Sequence, residues 1–403
     1  AGEVMRMLSG ITVLDLTQFL SGPFATQILG DLGADVIKIE WGEGDSTRGL
    51  PPYFIGEESL YYLSTNRNKR SICLNLKSEE GREAFLRMVA KADVVIDNFR
   101  PGVMDRLGLG DDVLRSVNPQ IILCSISGYG SDGPLSRLPA YDMIVQALSG
   151  GMSMTGEPGG KPVRSGIPSG DLDAGLYAVI GILAQLYQRT KTNSGDKLKN
   201  IDIAMLDCQI AKLSYQGAYA MFSGEEPGLQ GRGHRSIPTY RAFTCGDGQD
   251  VMICANTEEM WRKLCEALEA EELLDEPAFA TNADRLENID RLLPELNARF
   301  QKFAAPVLLE RLHQAGVPAA MINGVLDALS HPQTRHRGMV QELRHQSGTR
   351  FRIVGDPLKL SEQSAKPKSP PRLGEHTGQV LRQFGYRDED IERMAQAGAI
   401  KLG

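Results

Sequence analysis

Asp171 is the residue whose surroundings are best suited to chemistry. It follows a run of small residues at 166–170 and directly precedes a nearly all-apolar stretch at 172–186, which predicts a buried helix. A carboxylate at the start of a helix is ordinarily an N-cap that accepts free backbone N–H groups. The glycines and Pro168, however, let another molecule approach this carboxylate closely. Asp173 is the rival candidate, but it lies inside the predicted helix rather than at its start. We therefore predict that Asp171 is the nucleophile.

Histidine placement limits the chemistry that the first half of the chain can perform. All six histidines follow residue 233: His234, His313, His331, His336, His345 and His376. A Ser–His or Cys–His catalytic pair local to the N-terminal half is therefore excluded. Acid–base chemistry there must rest on carboxylates, lysine or tyrosine.

The composition indicates a globular enzyme without a nucleic-acid or membrane role. The 403-residue chain carries a formal net charge of −7, which argues against general nucleic-acid binding. It shows neither an apolar run of membrane-spanning length nor a signal-peptide core at 1–6. Six scattered cysteines without metal-ligand spacing favour a reducing, cytoplasmic setting and no metal site.

Apolar strands alternate with helices through the first half of the chain. We predict strands at 11–16, 36–40, 71–76, 93–97 and 120–127, and helices at 24–32 and 79–92. This order is typical of an α/β fold with a parallel, doubly wound sheet. Ligands should bind beyond the carboxyl ends of the strands, at 17–23, 98–102 and 128–141. Nicotinamide chemistry is disfavoured because neither a GxGxxG turn nor a Walker loop occurs.

The pattern changes after a Gly- and Glu-rich linker at 223–228. Strands at 239–244 and 250–255 flank a Gly-Asp-Gly turn and predict a hairpin, and helices follow near 258–268, 290–304 and 307–315. These elements are typical of a smaller α+β domain. A Pro-rich stretch at 366–372 precedes a final helical region.

A series of short motifs runs in order from the first strand to the tail. The motifs are LDLT at 14–17 with GP at 22–23, GDLGADVIKIE at 30–40, NRNKRS at 66–71, NFRPG at 98–102, GYG at 128–130, YD at 141–142 and LGEHT at 373–377. Each motif is weak alone. As an ordered set they are highly specific, and the chain resembles the class III CoA-transferase family, also called CaiB/BaiF.

The resemblance implies a large Rossmann-like, CoA-binding domain built from both chain ends, 1–223 and 338–403. A small domain with linkers would occupy 224–337, and two chains would interlock as a homodimer. The family's catalytic carboxylate aligns with Asp171, which would attack an acyl-CoA to form a mixed anhydride and then an aspartyl-CoA thioester. A helix N-terminus would keep that carboxylate ionised. CoA is then a substrate, and no permanently bound cofactor is expected.

The family's CoA contacts fall on ten residues of this chain: Phe19, Leu20, Ser21, Leu74, Asn75, Lys77, Asn98, Phe99, Arg106 and Tyr141. Lys77 and Arg106 suit phosphate or adenosine contacts, although without the resemblance they would be interpreted as solvated surface charges. Some members use an arginine where this chain has Trp41. That contact is lost here or is replaced by adenine stacking.

The stretch 231–240 resembles the corresponding stretch of members that use succinyl-CoA and a dicarboxylic acid. In it, His234 and Arg235 could hold a remote carboxylate, or they could form an interdomain salt bridge, and both interpretations stay open. The chain lacks the longer glycine-rich loop of the formyl-CoA transferase branch. Formate and oxalate are therefore disfavoured as substrates.

Two other functions compete with CoA transfer. An α-methylacyl-CoA racemase shares the fold but places a histidine beside the aspartate where this chain has Tyr141 and Asp142, so proton transfer would need another base. A non-catalytic CoA-binding protein would have no use for Asp171 and its flanking glycines. The expected partners are an acyl-CoA, a carboxylic acid and a second copy of the chain, without nucleic acid or membrane.

Overall fold

The computed structural model describes residues 6–191, 198–359 and 366–403, in two compact units. The first unit consists of Ala1–Gly151, Arg164–Ala218 and His336–Gly403, and the second of Met152–Val163 and Tyr219–Arg335. The domain boundaries at 224 and 338 stay a prediction. That prediction assigned 152–163 and 219–223 to the large domain, whereas both segments group with the second unit.

The described residues form fifteen strands: β1 (Thr12–Asp15), β2 (Asp35–Glu40), β3 (Phe54–Ile55), β4 (Glu58–Ser59), β5 (Lys69–Leu74), β6 (Val94–Asp97), β7 (Ile122–Ser127), β8 (Ile201–Ala204), β9 (Gly233–His234), β10 (Ile237–Thr244), β11 (Asp250–Cys254), β12 (Ala319–Met321), β13 (Val340–Arg344), β14 (Arg350–Val354) and β15 (Ile400–Lys401). Over the same ranges they form seventeen α-helices: α1 (Ser21–Asp31), α2 (Leu60–Thr65), α3 (Glu79–Val89), α4 (Val103–Arg106), α5 (Asp111–Val117), α6 (Asp142–Leu148), α7 (Ser169–Arg189), α8 (Met205–Ala211), α9 (Ser214–Ser223), α10 (Glu258–Ala267), α11 (Asn282–Glu287), α12 (Ile289–Phe300), α13 (Ala305–Ala315), α14 (Val325–Ser330), α15 (Pro332–His336), α16 (Thr377–Gln383) and α17 (Asp388–Gln396).

A seven-stranded sheet lies at the centre of the first unit, in the order β15-β5-β2-β1-β6-β7-β8. Each of the strands β5, β2, β1, β6, β7 and β8 is parallel to its neighbour in this order. Strand β15 pairs antiparallel with β5 at one edge. The predicted parallel sheet is therefore confirmed. Its order reverses beside β1, because β2 lies on one side of β1 and β6 on the other. The loops after β1 and β6 diverge at this point.

Both faces of this sheet are buried. Leu14, Ile37 and Ile72 face one apolar cluster, to which α3, α16 and α17 contribute. Val13 and Val36 face the opposite cluster, to which α1 and α7 contribute. Because successive residues of a strand point to opposite faces, burial on both faces requires nearly continuous apolar strands.

Helix α7 begins earlier than its sequence predicts. Pro168 occupies its N-cap position without a side-chain cap hydrogen bond, and Asp171 is its third residue. Asp171 is therefore not the N-cap residue, and the alternative interpretation of Asp171 as a capping residue is excluded. In this single chain Ile180 is 60% exposed and Tyr187 is 67% exposed, so one chain by itself does not bury α7 on all sides as predicted.

The second unit contains a four-stranded antiparallel sheet in the order β12-β11-β10-β9. Strands β10 and β11 form the predicted hairpin, in which Thr244 pairs with Asp250 across the Gly-Asp-Gly turn. Helices α10, α12 and α13 coincide with the three predicted helices. Phe243, Trp261 and Phe300 lie in a core that these helices share with the sheet.

Candidate active site

A cavity opens at the carboxyl end of the central sheet, where the strand order reverses between β1 and β6. Parallel sheets bind ligands at this position because the loops on either side diverge there. The loops after β1, β6 and β7 line the cavity, together with the first turn of α7 and the start of α8. The lining residues are Gln18, Phe19, Ser21, Asn98, Phe99, Arg100, Pro101, Ile126, Ser127, Gly128, Ser136, Leu138, Pro139, Ala140, Tyr141, Asp171 and Met205.

The cavity brings together six residues that the sequence singled out: Phe19, Ser21, Asn98, Phe99, Tyr141 and Asp171. Gln18, Arg100 and Pro101 also line the cavity, and they lie in the loops 17–23 and 98–102 that the sequence predicted to bind ligand, although none of the three was chosen individually. Their position directly after predicted strands was the signal. Met205 carries no such signal, because only the folding of a distant segment brings it to the cavity.

The Asp171 carboxylate is half-buried in the cavity lining, and within the described residues it receives no hydrogen bond. Burial, and then the negative charge of Asp142, raises the pKa of Asp171 to about 7. An acid with this pKa is half ionised near neutral pH. Desolvation and the like charge of Asp142 oppose the ionisation that the helix N-terminus was expected to favour, and that expectation stays a prediction.

Asp142, and not Asp171, supplies the side-chain acceptor at the start of α7. Its Oδ1 accepts the backbone N–H of Gly170, in the first turn of α7, at 2.7 Å. Its Oδ2 accepts a hydrogen bond from Gln146 Nε2, also at 2.7 Å. Because α6 supplies this capping acceptor, the carboxylate of Asp171 remains available to react.

Asp173 differs from Asp171 in its partners. Its Oδ2 accepts hydrogen bonds from Lys212 Nζ at 2.6 Å and from Gln209 Nε2 at 2.8 Å. A carboxylate held in an ion pair is a weaker nucleophile, because its charge and lone pairs are already engaged. The contacts favour Asp171 over Asp173 as the reactive acid.

Phe19 lines the cavity with a left-handed backbone, at φ 65°, which is rare for a bulky residue. Its N–H donates to Asp45 Oδ1 at 3.2 Å, and Asp45 Oδ2 pairs with Lys38 Nζ at 2.9 Å. The same ammonium donates to the carbonyl oxygen of Thr17 at 2.8 Å. The side chains of this ion pair are fully buried, so the pair holds the loop firmly. The Phe19 ring meets Tyr141 edge to face, 5.9 Å between centroids.

Asn98 joins two of the loops that line the cavity. Its Nδ2 donates to the carbonyl oxygen of Gln18 at 2.7 Å, and its Oδ1 accepts the N–H of Gln18 at 2.9 Å. The next residue, Phe99, donates its N–H to Asp97 Oδ1 at 3.1 Å, and burial raises the pKa of Asp97 to about 6. Side-chain hydrogen bonds therefore hold the loops after β1 and β6 together.

Five predicted CoA contacts lie outside this cavity: Leu20, Leu74, Asn75, Lys77 and Arg106. Leu20 and Leu74 are buried, whereas Lys77 and Arg106 are exposed. Asn75 Oδ1 accepts the N–H of Lys77 at 3.1 Å in the turn after β5. Contact between these residues and CoA stays a prediction. Trp41 is 37% exposed, and the Lys401 ammonium lies 5.6 Å from the centroid of its ring.

His234 and Arg235, the predicted ligands of a substrate carboxylate, belong to the second unit. His234 ends β9, its Nδ1 accepts the N–H of Ser236 at 3.1 Å, and its ring stacks on Tyr240 with 5.7 Å between centroids. Arg235 is exposed. Their role in binding a carboxylate stays a prediction.

Comparison with known proteins identifies the family. The model of CoA-transferase family III matches residues 8–377 of the chain. The chain belongs to this family. The family III chain is 38% identical over 399 residues to the human succinyl-CoA:glutarate CoA-transferase, covering 98% of this chain and 90% of that protein. It is 41% identical over 379 residues to the acetyl-CoA:oxalate CoA-transferase of Acetobacter aceti, covering 93% and 95%.

A solved structure also matches this family III CoA-transferase. The crystal structure of a CAIB/BAIF family protein from Brucella suis superposes with a TM-score of 0.83 at 36% identity, covering 94% of this chain and 99% of that one. The chain is therefore an enzyme with the family's fold. Within the described ranges, no helix is long and apolar enough to cross a membrane. In those same ranges, no group of three His, Cys, Asp or Glu residues could hold a metal ion.

Proposed function

We propose that this family III enzyme moves CoA from an acyl-CoA to a free dicarboxylic acid through covalent intermediates on Asp171. The observation that carries the proposal is the contrast among three neighbouring acids. Asp142 is engaged in capping α7 and Asp173 is paired with Lys212, while the Asp171 carboxylate lines the cavity without a hydrogen bond from the described residues. A partly desolvated carboxylate without a partner is suited to nucleophilic catalysis.

In the first half of the proposed reaction, the ionised Asp171 carboxylate attacks the thioester carbonyl of the donor. The carbon–sulfur bond breaks, CoA leaves as a thiolate, and a mixed anhydride joins the donor acyl group to Asp171. The thiolate then attacks the aspartyl carbonyl of the anhydride. The donor leaves as a free carboxylate, and an aspartyl-CoA thioester remains.

The second half reverses these steps with the acceptor. The acceptor carboxylate attacks the aspartyl thioester, which releases CoA thiolate and forms a second anhydride. The thiolate then attacks the acyl carbonyl of the acceptor, so that a new acyl-CoA forms and Asp171 returns as a carboxylate. No step needs an external base, which agrees with the absence of histidine before residue 234. CoA enters only as substrate, and no permanently bound cofactor takes part.

The names of the relatives support a dicarboxylic acceptor. Relatives named for glutarate and mesaconate are 36–38% identical to the chain. Relatives named for oxalate, which the sequence pattern disfavours as a substrate, are 35–41% identical, and all three acids are dicarboxylic. Succinyl-CoA is named as donor for the human and Haloarcula marismortui relatives. We propose succinyl-CoA as the donor, with His234 and Arg235 as ligands of a remote carboxylate. Arg235 is exposed, and its planar guanidinium suits the recognition of a carboxylate.

Trapping of the intermediate tests the role of Asp171. The protein is incubated with succinyl-CoA, treated with hydroxylamine or borohydride, digested and analysed by mass spectrometry. We expect a hydroxamate or an alcohol on Asp171, because both activated forms of the carboxylate react with these reagents. Asp171→Asn should fold, retain CoA binding and show neither adduct nor turnover, because an amide cannot form the anhydride.

Asp173→Asn is the matched control, since it alters a carboxylate two residues away. It should lose the Lys212 ion pair yet keep the adduct on Asp171 and most of the turnover. An adduct mapped to Asp173 or Asp142, or full activity in Asp171→Asn, would contradict the proposal. Deuterium exchange at the α-carbon of a 2-methylacyl-CoA without acyl exchange would favour a racemase instead.

A substrate panel tests the choice of acids. We expect succinyl-CoA to be a better donor than formyl-CoA or butyrobetainyl-CoA. Arg235→Ala should weaken transition-state binding for dicarboxylates by about 1.5–3 kcal/mol, the value of a charged hydrogen bond, and should affect monocarboxylates less. Exposed Arg262 on α10 provides the control, and Arg262→Ala should leave both classes unchanged. Equal losses for both classes in Arg235→Ala would make Arg235 structural.

A further inference from the structure

Gln146 is a buried glutamine whose amide contacts two separate parts of the candidate site. It lies on α6, one turn after Asp142, and is 4% exposed. Its Nε2 donates to Asp142 Oδ2 at 2.7 Å, and its Oε1 accepts the backbone N–H of Ser165 at 3.0 Å. Because both ends of the amide are engaged, its orientation is determined.

These contacts hold both ends of the segment that leads into Asp171. Ser165 begins the segment, and Gly170 ends it by donating its N–H to the other oxygen of Asp142 at 2.7 Å. Between them, the N–H of Ile167 donates to Ser165 Oγ at 3.3 Å. A Cβ atom on Gly170 would lie 2.9 Å from Asp142 Oδ1, so only a glycine backbone fits this closely against α6.

We propose that Gln146 is a positioning residue for the transfer reaction, because it holds Asp142 and the segment 165–170 in the arrangement that presents Asp171 to the cavity. This inference rests on the proposed role of Asp171 as nucleophile. Gln146 does not line the cavity, so it acts through Asp142 and the backbone. Misplacing a reacting group by about 1 Å costs on the order of 100-fold in rate, so one amide is enough to matter.

The surroundings of Asp171 distinguish this role from that of an ordinary core glutamine. Both partners of Gln146 adjoin the reactive acid, and Asp142 also acts on Asp171 by its charge, which adds to burial in raising the pKa of Asp171.

Tyr61 is electrostatically coupled to Asp171 as well. Burial, and then the charge of Asp171, raises the pKa of Tyr61 to about 12, so Tyr61 stays neutral over the working pH range.

Gln146→Met tests the inference, because it keeps the length of the side chain and removes both hydrogen bonds. We expect the single-turnover rate of adduct formation on Asp171, measured per folded molecule, to fall about 10- to 100-fold. The apparent KM for the acyl-CoA should change less than about twofold, because Gln146 does not touch the cavity. A purely structural role would lower the folded fraction and leave the rate per folded molecule unchanged.

An exchange of the two interacting groups provides a rescue test. Gln146→Glu places two carboxyls face to face, and Asp142→Asn places two amides face to face, so each single variant should slow adduct formation. The double variant Asp142→Asn, Gln146→Glu can remake all three hydrogen bonds, to Gly170, to Ser165 and between the two side chains. We expect it to form the adduct at least about fivefold faster than either single variant.

The outcomes separate this inference from the proposed function. An adduct rate for Gln146→Met within about twofold of the unchanged protein would overturn the role of Gln146 and leave the proposed function intact. If Gln146→Met does not fold, the exchange variants decide, and a double variant no faster than its singles overturns the role. If the unchanged protein forms no adduct on Asp171, the proposed function fails and the inference fails with it.

Discussion

At the scale of single residues, the three acids at 142, 171 and 173 show how identical side chains acquire different chemistry. Asp142 accepts a backbone N–H and an amide N–H, and Asp173 accepts an ammonium. Asp171 has no such partner among the described residues and is partly desolvated, so burial and then the charge of Asp142 raises its pKa to about 7. The environment therefore distinguishes Asp171 as the acid for which we propose the nucleophilic role.

The raised pKa of Asp171 predicts that the difference in stability between the unchanged protein and Asp171→Asn depends on pH. The folded protein binds the proton of the Asp171 carboxyl more tightly than the unfolded chain does. The contribution of Asp171 to the free energy of unfolding is therefore fully present below about pH 4 and is lost as the pH rises through 7. Asp171→Asn does not titrate. We expect it to match the unchanged protein at pH 4 and to exceed it at pH 8 by about 1–2 kcal/mol, after allowing for solvent screening of a half-buried group.

Urea unfolding at both pH values measures this difference. Asp173→Asn is the control, and we expect it to be less stable than the unchanged protein at pH 8, because it loses the ion pair with Lys212. A stability difference for Asp171→Asn that is the same at pH 4 and pH 8 would show that Asp171 has an ordinary pKa in the folded protein.

At the scale of elements, the close approach of α1 and α7 brings Ser21 and Asp171 to one cavity. Gly175 makes this possible, because a Cβ atom there would lie 2.7 Å from the carbonyl oxygen of Ser21 and 3.1 Å from the ring of Phe24. Backbone atoms cannot move aside as a flexible side chain can. Helices α1 and α7 can therefore lie this close together only because residue 175 is a glycine and has no Cβ atom.

Gly175→Ala should separate α1 from α7 and damage both stability and turnover. We expect a loss of about 1–3 kcal/mol in the free energy of unfolding, the usual effect of overpacking, and a lower kcat because Ser21 and Asp171 move apart. Gly378 in α16 is a matched helical control, since a Cβ atom there would lie 3.5 Å from the end of the Arg382 side chain. Gly378→Ala should be neutral or slightly stabilising. Equal effects in denaturant titrations of both variants would contradict this account.

At the scale of the whole molecule, a single chain leaves large apolar side chains exposed on α7 and α9. Leu176, Ile180 and Tyr187 on α7 are 45%, 60% and 67% exposed, and Met221 and Phe222 on α9 are 83% and 96% exposed. Large apolar side chains that are exposed close together on one helix often mark an interface. We propose that a second copy of the chain covers these helices in the interlocked homodimer that the family resemblance implies.

Subunit exchange tests the interlocked arrangement. Two differently tagged pools are mixed under native conditions and analysed by native mass spectrometry. We expect no mixed dimers, because interlocked chains cannot separate without unfolding, whereas an ordinary surface dimer would exchange on dilution. Joint unfolding and refolding of the pools is the control and should produce mixed dimers. A monomer in light scattering would contradict the proposal outright.

Much of the fold could be predicted from local pattern. Buried parallel strands need apolar residues on both faces, so β1, β2, β5, β6 and β7 appear as apolar runs, and the Gly-Asp-Gly turn marks the hairpin of β10 and β11. The short strands β8 and β15 were missed, because two to four residues show no period. The partners that complete their hydrogen bonds lie far away in the chain.

The candidate site, like the fold, could be predicted only in part from the sequence. The sequence by itself determined the chemistry available before residue 234, the loops that line the cavity and the choice of Asp171 as the acid to examine. Only the tertiary structure decided that Asp142 accepts the N–H of Gly170 at the start of α7, that Lys212 pairs with Asp173 and that Gln146 donates to Asp142. Hydrogen bonding and desolvation depend on distances between atoms that are remote in sequence, so the ionisation of a carboxylate is settled only when its neighbours have folded around it.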